Sequence, residues 1–215
     1  IIKLKKRIKI IQGGTSAGKT FGILPILIHK AADTPNIEIS VVAESIPHLR
    51  RGALKDFLNI MKWTGRYFEQ RFNKSLLRYE FANGSYIEFF SADDSSKLRG
   101  ARRDILYINE CNNVDFNSYN ELAIRTKQEI YLDFNPANEF WVHTELKNES
   151  DSDFLILTYR DNEALDERIV KEIEKNRLKA NTSSYWENWW RVYGEGLVGM
   201  LEGVVFSNWK VIDKI

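Results

Sequence analysis

The eight residues Gly13-Gly14-Thr15-Ser16-Ala17-Gly18-Lys19-Thr20 bring together the groups needed to hold a polyphosphate. Their glycines let the backbone curl so that its N–H groups point inward, and a following helix adds a favourable dipole. Lys19 can reach β- and γ-phosphates, and the Thr20 hydroxyl can ligate Mg²⁺. The run fits G-x-x-x-x-G-K-[ST] at every required position and sits between an expected strand and an expected helix, the context that confirms the motif. The ligand implied is a nucleoside triphosphate with Mg²⁺. A second group closes the apolar run "ILYINEC" (105–111), which ends in Asn109 and Glu110. Beside a phosphate loop, Glu110 could polarise the water that attacks the γ-phosphate. Asn109 would then occupy the metal-facing position, its amide oxygen reaching Mg²⁺ through a bound water and holding it more weakly than an Asp would. On that reading Asn109→Asp leaves activity intact or raises Mg²⁺ affinity. Taken alone, the same segment also reads as a core strand ending in a solvated glutamate. The preceding loop, "ADDSSKLRGARRD" (92–104), carries Lys97, Arg99, Arg102 and Arg103. A guanidinium from this loop, Arg99 before Arg102, could serve a neighbouring subunit as an arginine finger; the run also reads as a solvated basic loop or one that touches DNA phosphates.

These groups need strands and helices to deliver them to one edge. "RIKIIQ" (7–12) reads as a buried strand, followed by a helix from about Lys19 to Ala32 that Thr34-Pro35-Asn36 breaks. "IEISVVA" (37–43) is a second strand. Pro47 opens a helix with Leu54, Phe57, Leu58 and Met61 at helical spacing. "LLRYEFANGSYIEFFS" (76–91) is a hairpin signal around Asn83-Gly84, a pair that favours positive φ. "EIYLDFNPAN" (129–138) and "DFLILTYRDN" (153–162) are further strands. Helices follow Asp166, with Thr182 a candidate N-cap. Alternating strands and helices predict an α/β fold with a mostly parallel sheet, an antiparallel hairpin extension, and a small helical subdomain after about residue 160.

Composition sets the outer bounds. With 215 residues, 43% hydrophobic and 13% aromatic, the chain can bury one sizeable core. Thirty-one basic and 30 acidic residues nearly cancel, so a nucleic-acid surface would have to be a local patch. The single cysteine, Cys111, excludes an internal disulfide and is expected to pack beside the active strand. No apolar stretch approaches the roughly 20 residues of a membrane span, so no membrane partner is expected. Lys3, Lys5, Lys6, Arg7 and Lys9 form a basic N-terminal stretch, read as a solvated strand edge or a nucleic-acid contact. Trp186, Trp189, Trp190 and Tyr193 are at helical spacings and read as packing. Histidines 29, 48 and 143 lack metal-ligand spacing and receive no role. The absence of an initial Met suggests a piece of a longer protein.

"GGTSAGKT", "SKLRGARRDILYINEC", "DFNPANEFWVHTEL", "TYRDNEALDERIVKEIE" and "YWENWWRVYGEGLVGMLEGVVFSNW", in this order, resemble the ATPase domain of the large terminase subunit of tailed double-stranded DNA bacteriophages. The resemblance implies an additional-strand P-loop core, related to RecA-like and helicase motors, over residues 1–160, and a helical lid or linker over 161–215. It makes Lys19 and Thr20 the phosphate and Mg²⁺ residues, Glu110 the catalytic glutamate and Arg99 the trans-acting finger. Asn135 falls at the coupling motif, where a strand-end amide can both accept from water and donate to phosphate; it also reads as an Asn-Pro turn ending a strand. Two departures stand out: Thr15, where many members carry arginine, and Asn109 in place of Asp.

The implied activity is ATP hydrolysis that powers translocation of double-stranded DNA into the procapsid. The implied partners are DNA, the portal protein, the small terminase subunit and further copies of the chain in a ring on the portal. The implied place is the host cytoplasm, transiently at the portal vertex and not in the mature virion. The family's RNase H-like nuclease is expected to lie beyond Ile215, so Asp213 is not read as its ligand and no cleavage is expected of this chain. Two rivals remain: a nucleotide-gated assembly module with little hydrolysis, weakened at Asn109, and a small-molecule P-loop kinase.

Overall fold

In the computed structural model residues 1–94, 98, 100 and 102–200 are described. Their organising element is a single eight-stranded sheet in the order β3-β4-β5-β2-β6-β7-β1-β8. The strands are β1 (Ile8–Gly13), β2 (Glu38–Ala43), β3 (Phe72–Asn73), β4 (Arg78–Glu80), β5 (Tyr86–Ser91), β6 (Arg103–Ile108), β7 (Thr126–Phe134) and β8 (Ser152–Leu157). From β5 through β8 every pairing is parallel, while β3 and β4 add on antiparallel. The expected hairpin is therefore present, with Glu80 opposite Tyr86 across the Asn83-Gly84 turn. Strand β7 lies between β1, which feeds the phosphate loop, and β6, which carries Asn109 and Glu110. This inserted strand is the additional strand that the sequence resemblance implies.

Consecutive residues of each central strand point to opposite faces, so a strand buried on both sides is largely apolar. Ile11, Val41, Phe89 and Tyr107 enter one core layer with Leu24, Leu27, Phe57 and Met61 of α1 (Lys19–Asp33) and α3 (Ala53–Trp63). Their neighbours Ile10, Val42, Phe90 and Leu106 enter the other, with Tyr119 and Leu122 of α4 (Phe116–Ala123) and Val142. Each such side chain contributes about 1.5–3 kcal/mol on leaving water. The two layers clamp the sheet between helices, so that its parallel strand ends are presented at one edge.

Local chemistry explains where the elements differ from the sequence expectations. The helix opened by Pro47 is two: α2 (Ile46–Arg51) closes when Gly52 N–H donates to His48 O at 2.9 Å, and Gly52 turns the chain into α3. Strand β8 stops at Leu157 because Thr158 and Asp161 cap each other's backbone in a reciprocal box. Helix α5 (Glu167–Lys179) begins at Asp166, and α6 (Ser184–Trp189) is capped by Ser183 rather than Thr182. A wider-pitched turn, Trp190–Gly194, continues α6. Trp190 is buried against Tyr159 and Ile173, and Trp186 meets Trp189 edge-on while Tyr193 lies tilted against Trp189, which is packing.

Two basic groups move inward relative to expectation. Strand β1 is paired on both sides and is no sheet edge. Lys9 is buried 3.4 Å from Glu129 and the half-buried Arg7 donates to Ala123 O and Thr126 O, while Lys6, which donates to Ser152 O, stays exposed. Arg103 is the first residue of β6, 1% exposed, donating to Ser40 Oγ (3.0 Å) and Leu122 O (3.1 Å). It is a structural cation, because a guanidinium so enclosed can serve no neighbouring subunit. Arg102 is exposed. Lys97 and Arg99, as well as "EGVVF" and Asp213, lie outside the described residues. Among the described residues no helix is long and apolar enough to cross a membrane.

Candidate nucleoside triphosphate site

The ends of β1, β6 and β7 converge on a cleft of about 320 Å³ lined by the phosphate loop, Glu110, Asp133, Asn135 and Asn162. The loop is built as its glycines suggest. Gly18 caps α1 in the left-handed region (φ 72°), a conformation glycine reaches without steric cost, and Gly22 N–H returns to Gly18 O at 2.8 Å. Ser16 is also left-handed (φ 57°) and is braced from outside, its carbonyl accepting from Asn162 Nδ2 at 2.9 Å.

Lys19 Nζ donates to Gly13 O (3.0 Å), Gly14 O (3.1 Å) and Asn135 Oδ1 (2.5 Å). Burial pushes its ammonium below the ordinary lysine value, and the nearby charges of Asp133 and Glu110 pull the other way. The expected coupling residue Asn135 thus touches the expected phosphate-binding lysine. Thr20, the second residue of α1, has its Oγ1 3.5 Å from Asn109 Nδ2.

Asn109 is 3% exposed, and its amide nitrogen also faces Tyr107 Oη (3.1 Å) and Asp133 Oδ1 (3.0 Å). The orientation is forced: the flipped amide would set oxygen against the Asp133 carboxylate. Asn109 therefore shows Thr20 a donor, and its oxygen lies on the side of Gly52. Tyr107 is wholly buried; burial, and then Asp133, push its phenol well up, so it stays protonated and donates to Asp133 Oδ1 at 2.9 Å. Glu110 follows in a left-handed conformation (φ 52°), with its N–H on Asp133 Oδ1 (3.1 Å) and its carboxylate 3.0 Å from His48 Nε2. Burial pushes the Cys111 thiol well up, in keeping with a packing role.

Two residues without a role in the sequence reading thus join the site. His48 meets Glu110 across a sequence distance that no local pattern spans. Asp133 lies in "YLDFNP", and the available signal was an acid inside an otherwise apolar strand.

The phosphate loop is also tied to the chain's later part by main-chain groups. Thr15 N–H donates to Tyr193 O (2.9 Å) and Gly14 N–H to Leu157 O (3.1 Å). A Cβ at Gly14 would stand 2.2 Å from Tyr193 O, so this approach requires glycine. Beneath it, Phe140 N–H donates to His143 Nδ1 (3.3 Å), leaving the proton on Nε2 to meet Gln12 Oε1 (2.9 Å), while Gln12 Nε2 donates to Gly196 O (2.6 Å).

Burial, then Lys147, hold the His143 imidazole below its ordinary value, against a smaller opposite pull from Glu139. A depressed folded-state value means the stabilisation is complete above the unfolded value, about 6.5, and is lost as pH falls through the folded one. Acidification from pH 7 toward 5 is therefore expected to cost about 1 kcal/mol at this network. Thermal unfolding of His143→Gln across that range should show a correspondingly flatter acid limb, and an unchanged limb would dismiss the network as the cause.

The comparisons with known proteins agree with this geometry. A family model described as phage terminase large subunit matches residues 5–195. The chain belongs to the phage terminase large subunit family.

Among solved structures, the large terminase of a thermophilic bacteriophage superposes with a TM-score of 0.76 at 21% identity, covering 94% of this chain and 51% of that one. The same terminase in complex with ATP-gamma-S gives 0.71 at 19% identity, covering 89% and 47%. The Thermus phage P74-26 large terminase ATPase domain gives 0.61 at 13% identity, covering 91% and 90%. Among curated proteins, none matches. The chain spans about half the length of the first of these terminases and nearly all of the P74-26 ATPase domain. The terminase fold thus places β7 between the phosphate loop and the Asn109-Glu110 strand end.

Proposed function

We propose that this chain is the ATP-hydrolysing motor domain of a phage packaging terminase, residues 1–160 forming the catalytic core and 161–215 a lid or linker. The observation that carries the reading is one cleft in which Lys19, Thr20 and Glu110 meet, in a chain of the terminase large subunit family. Lys19 and the loop amides bind the triphosphate, Glu110 accepts the proton of the attacking water, and Asn135, already on Lys19, senses the γ-phosphate. Arg99 of a neighbouring subunit completes the charge stabilisation.

Among the described residues no three His, Cys, Asp or Glu side chains cluster as metal ligands. The donor set nonetheless fits Mg²⁺, which in nucleotide sites takes few protein ligands beside phosphate oxygens and water. Thr20 would hold the ion with Asn109 behind it, and the ion would neutralise charge on the phosphates. The partners proposed are double-stranded DNA, the portal, the small subunit and further copies in a ring, in the host cytoplasm. A nuclease active on concatemeric DNA would belong to a part of the longer protein outside this chain.

The test pairs ATP-γ-S binding with DNA-stimulated phosphate release. Lys19→Ala is expected to weaken binding roughly 10- to 100-fold, the worth of its charge-assisted hydrogen bonds, and to abolish release. Tight binding by the wild type with negligible release would favour the assembly switch. Phosphate transfer to a small acceptor would sink the motor reading.

A further inference from the structure

The cleft has a deficit of charge at one expected place. The β6 residue facing Thr20 is Asn109, neutral and presenting N–H rather than oxygen. A magnesium ion carried in with a triphosphate is ordinarily met there by a carboxylate. Three acids line the cleft: Asp56, Glu110 and Asp133. Glu110 is half exposed and engaged with His48. Asp56 belongs to α3, and among the described contacts its carboxylate shares no hydrogen bond with Thr20 or Asn109. Asp133 is different. Parallel register pairs Ile108 with Leu132, so the next residues, Asn109 and Asp133, stand side by side at the strand ends.

The Asp133 carboxylate is also held ready. One oxygen, Oδ1, accepts from Tyr107 Oη, Asn109 Nδ2 and Glu110 N–H at 2.9–3.1 Å, which fixes the plane of the group. No donor reaches Oδ2 among the described residues, and Oδ2 is not a sealed, unsatisfied atom. It is the acceptor this residue offers the cleft.

We propose that Asp133 is the site's metal carboxylate: the negative charge missing at Asn109 has moved one strand across, to the end of β7. Asp133 Oδ2, together with the Thr20 hydroxyl, would hold Mg²⁺ brought in with ATP, directly or through a water. Asn109 becomes a positioning residue that aims the Asp133 carboxylate and bridges it to Thr20. The same carboxylate fixes the Glu110 backbone, so one buried acid sets both the metal position and the strand-end turn that bears the proposed base. The inference rests on the nucleotide reading above but concerns the metal alone.

The experiment measures ATP-γ-S affinity in EDTA and in Mg²⁺, and Mn²⁺ binding to the nucleotide complex by electron paramagnetic resonance, on the 215-residue chain. Asp133→Asn keeps the Oδ1 acceptor for all three donors, removes the charge and puts an amide N–H₂ where Oδ2 stood. It is expected to bind ATP-γ-S in EDTA at least as well as the wild type, and to lose roughly 10- to 100-fold of the metal-dependent tightening and of Mn²⁺ affinity. The exchange variant Asn109→Asp/Asp133→Asn, which returns the charge to β6, is expected to recover most of that loss. Recovery reads the proposal by gain of function, so poor folding of Asp133→Asn alone does not shelter it. Wild-type metal dependence in Asp133→Asn, or an exchange variant that binds nucleotide in EDTA yet gains nothing from metal, overturns the proposal. A wild type that fails to bind ATP-γ-S even in EDTA overturns instead the nucleotide reading on which it stands.

Discussion

Glu110→Gln is expected to lower single-turnover phosphate release roughly 10²- to 10⁴-fold, the usual worth of a positioned general base, while ATP-γ-S still binds. The geometry makes this substitution clean. Glu110 lines the cleft without touching the phosphate loop, and its backbone rather than its side chain is bound to Asp133. Its left-handed conformation (φ 52°) strains any residue with a Cβ, and glutamine bears that strain equally, so the folded state should be unaffected. Glutamine can also remain against His48, which lies 3.0 Å from the wild-type carboxylate. Loss of release with intact binding and unchanged melting assigns the proton-accepting role to Glu110. Retained release would move the base elsewhere and reduce the His48–Glu110 pair to a surface contact.

The second large effect reverses what the sequence suggests. Asn109→Asp reads from sequence as the restoration of a missing acid, harmless or helpful to Mg²⁺. In the folded protein the amide donates to Asp133 Oδ1 at 3.0 Å, and the pair is 3% and 2% exposed. A carboxylate at 109 removes that donor and sets two acids against each other in a site shielded from water. Without metal, Asn109→Asp is expected to cost about 2–4 kcal/mol, comparable to breaking a buried polar pair. For a chain of this size that corresponds to a fall in melting temperature of roughly 5–15 °C. Excess Mg²⁺ with ATP-γ-S should return most of it, because the ion satisfies both carboxylates and binds only the folded state. Calorimetry in EDTA and then with metal and nucleotide checks both halves. A variant as stable as the wild type in EDTA would mean the two side chains do not share a hydrogen bond.

The contrast shows what a linear chain reveals and what it hides. β1, β2, β6 and β7 were legible because strands buried on both faces must be largely apolar, and the phosphate loop because its glycines and Lys19 are consecutive. Glu110 was legible once that loop was found, since parallel strands end at the same edge. The order of the strands was reachable only through the resemblance, and the order is what brings Asp133 to Asn109, 24 residues away. His48 met Glu110 for the same reason: two elements that share an edge need no sequence spacing. Arg103 misled because it follows a polar loop, whereas in the sheet it already pairs with Thr126 of β7 and its side chain donates inward to Ser40 Oγ and Leu122 O.

The contact between Thr15 N–H and Tyr193 O has a consequence for how such a protein can vary. It joins the nucleotide loop to the far end of the chain using groups that every residue but proline possesses. Truncating the side chains of Tyr193 or Thr15 leaves both hydrogen-bond partners in place, so alanine substitution would not break the bond itself, and what Tyr193→Ala loses is its ring contact with Trp189. Sequence reaches it through proline at position 15, which lacks the N–H, or through a side chain at Gly14, which would meet Tyr193 O. Relatives can therefore exchange nearly all the residues around this joint and still keep it, a form of inheritance written in the main chain.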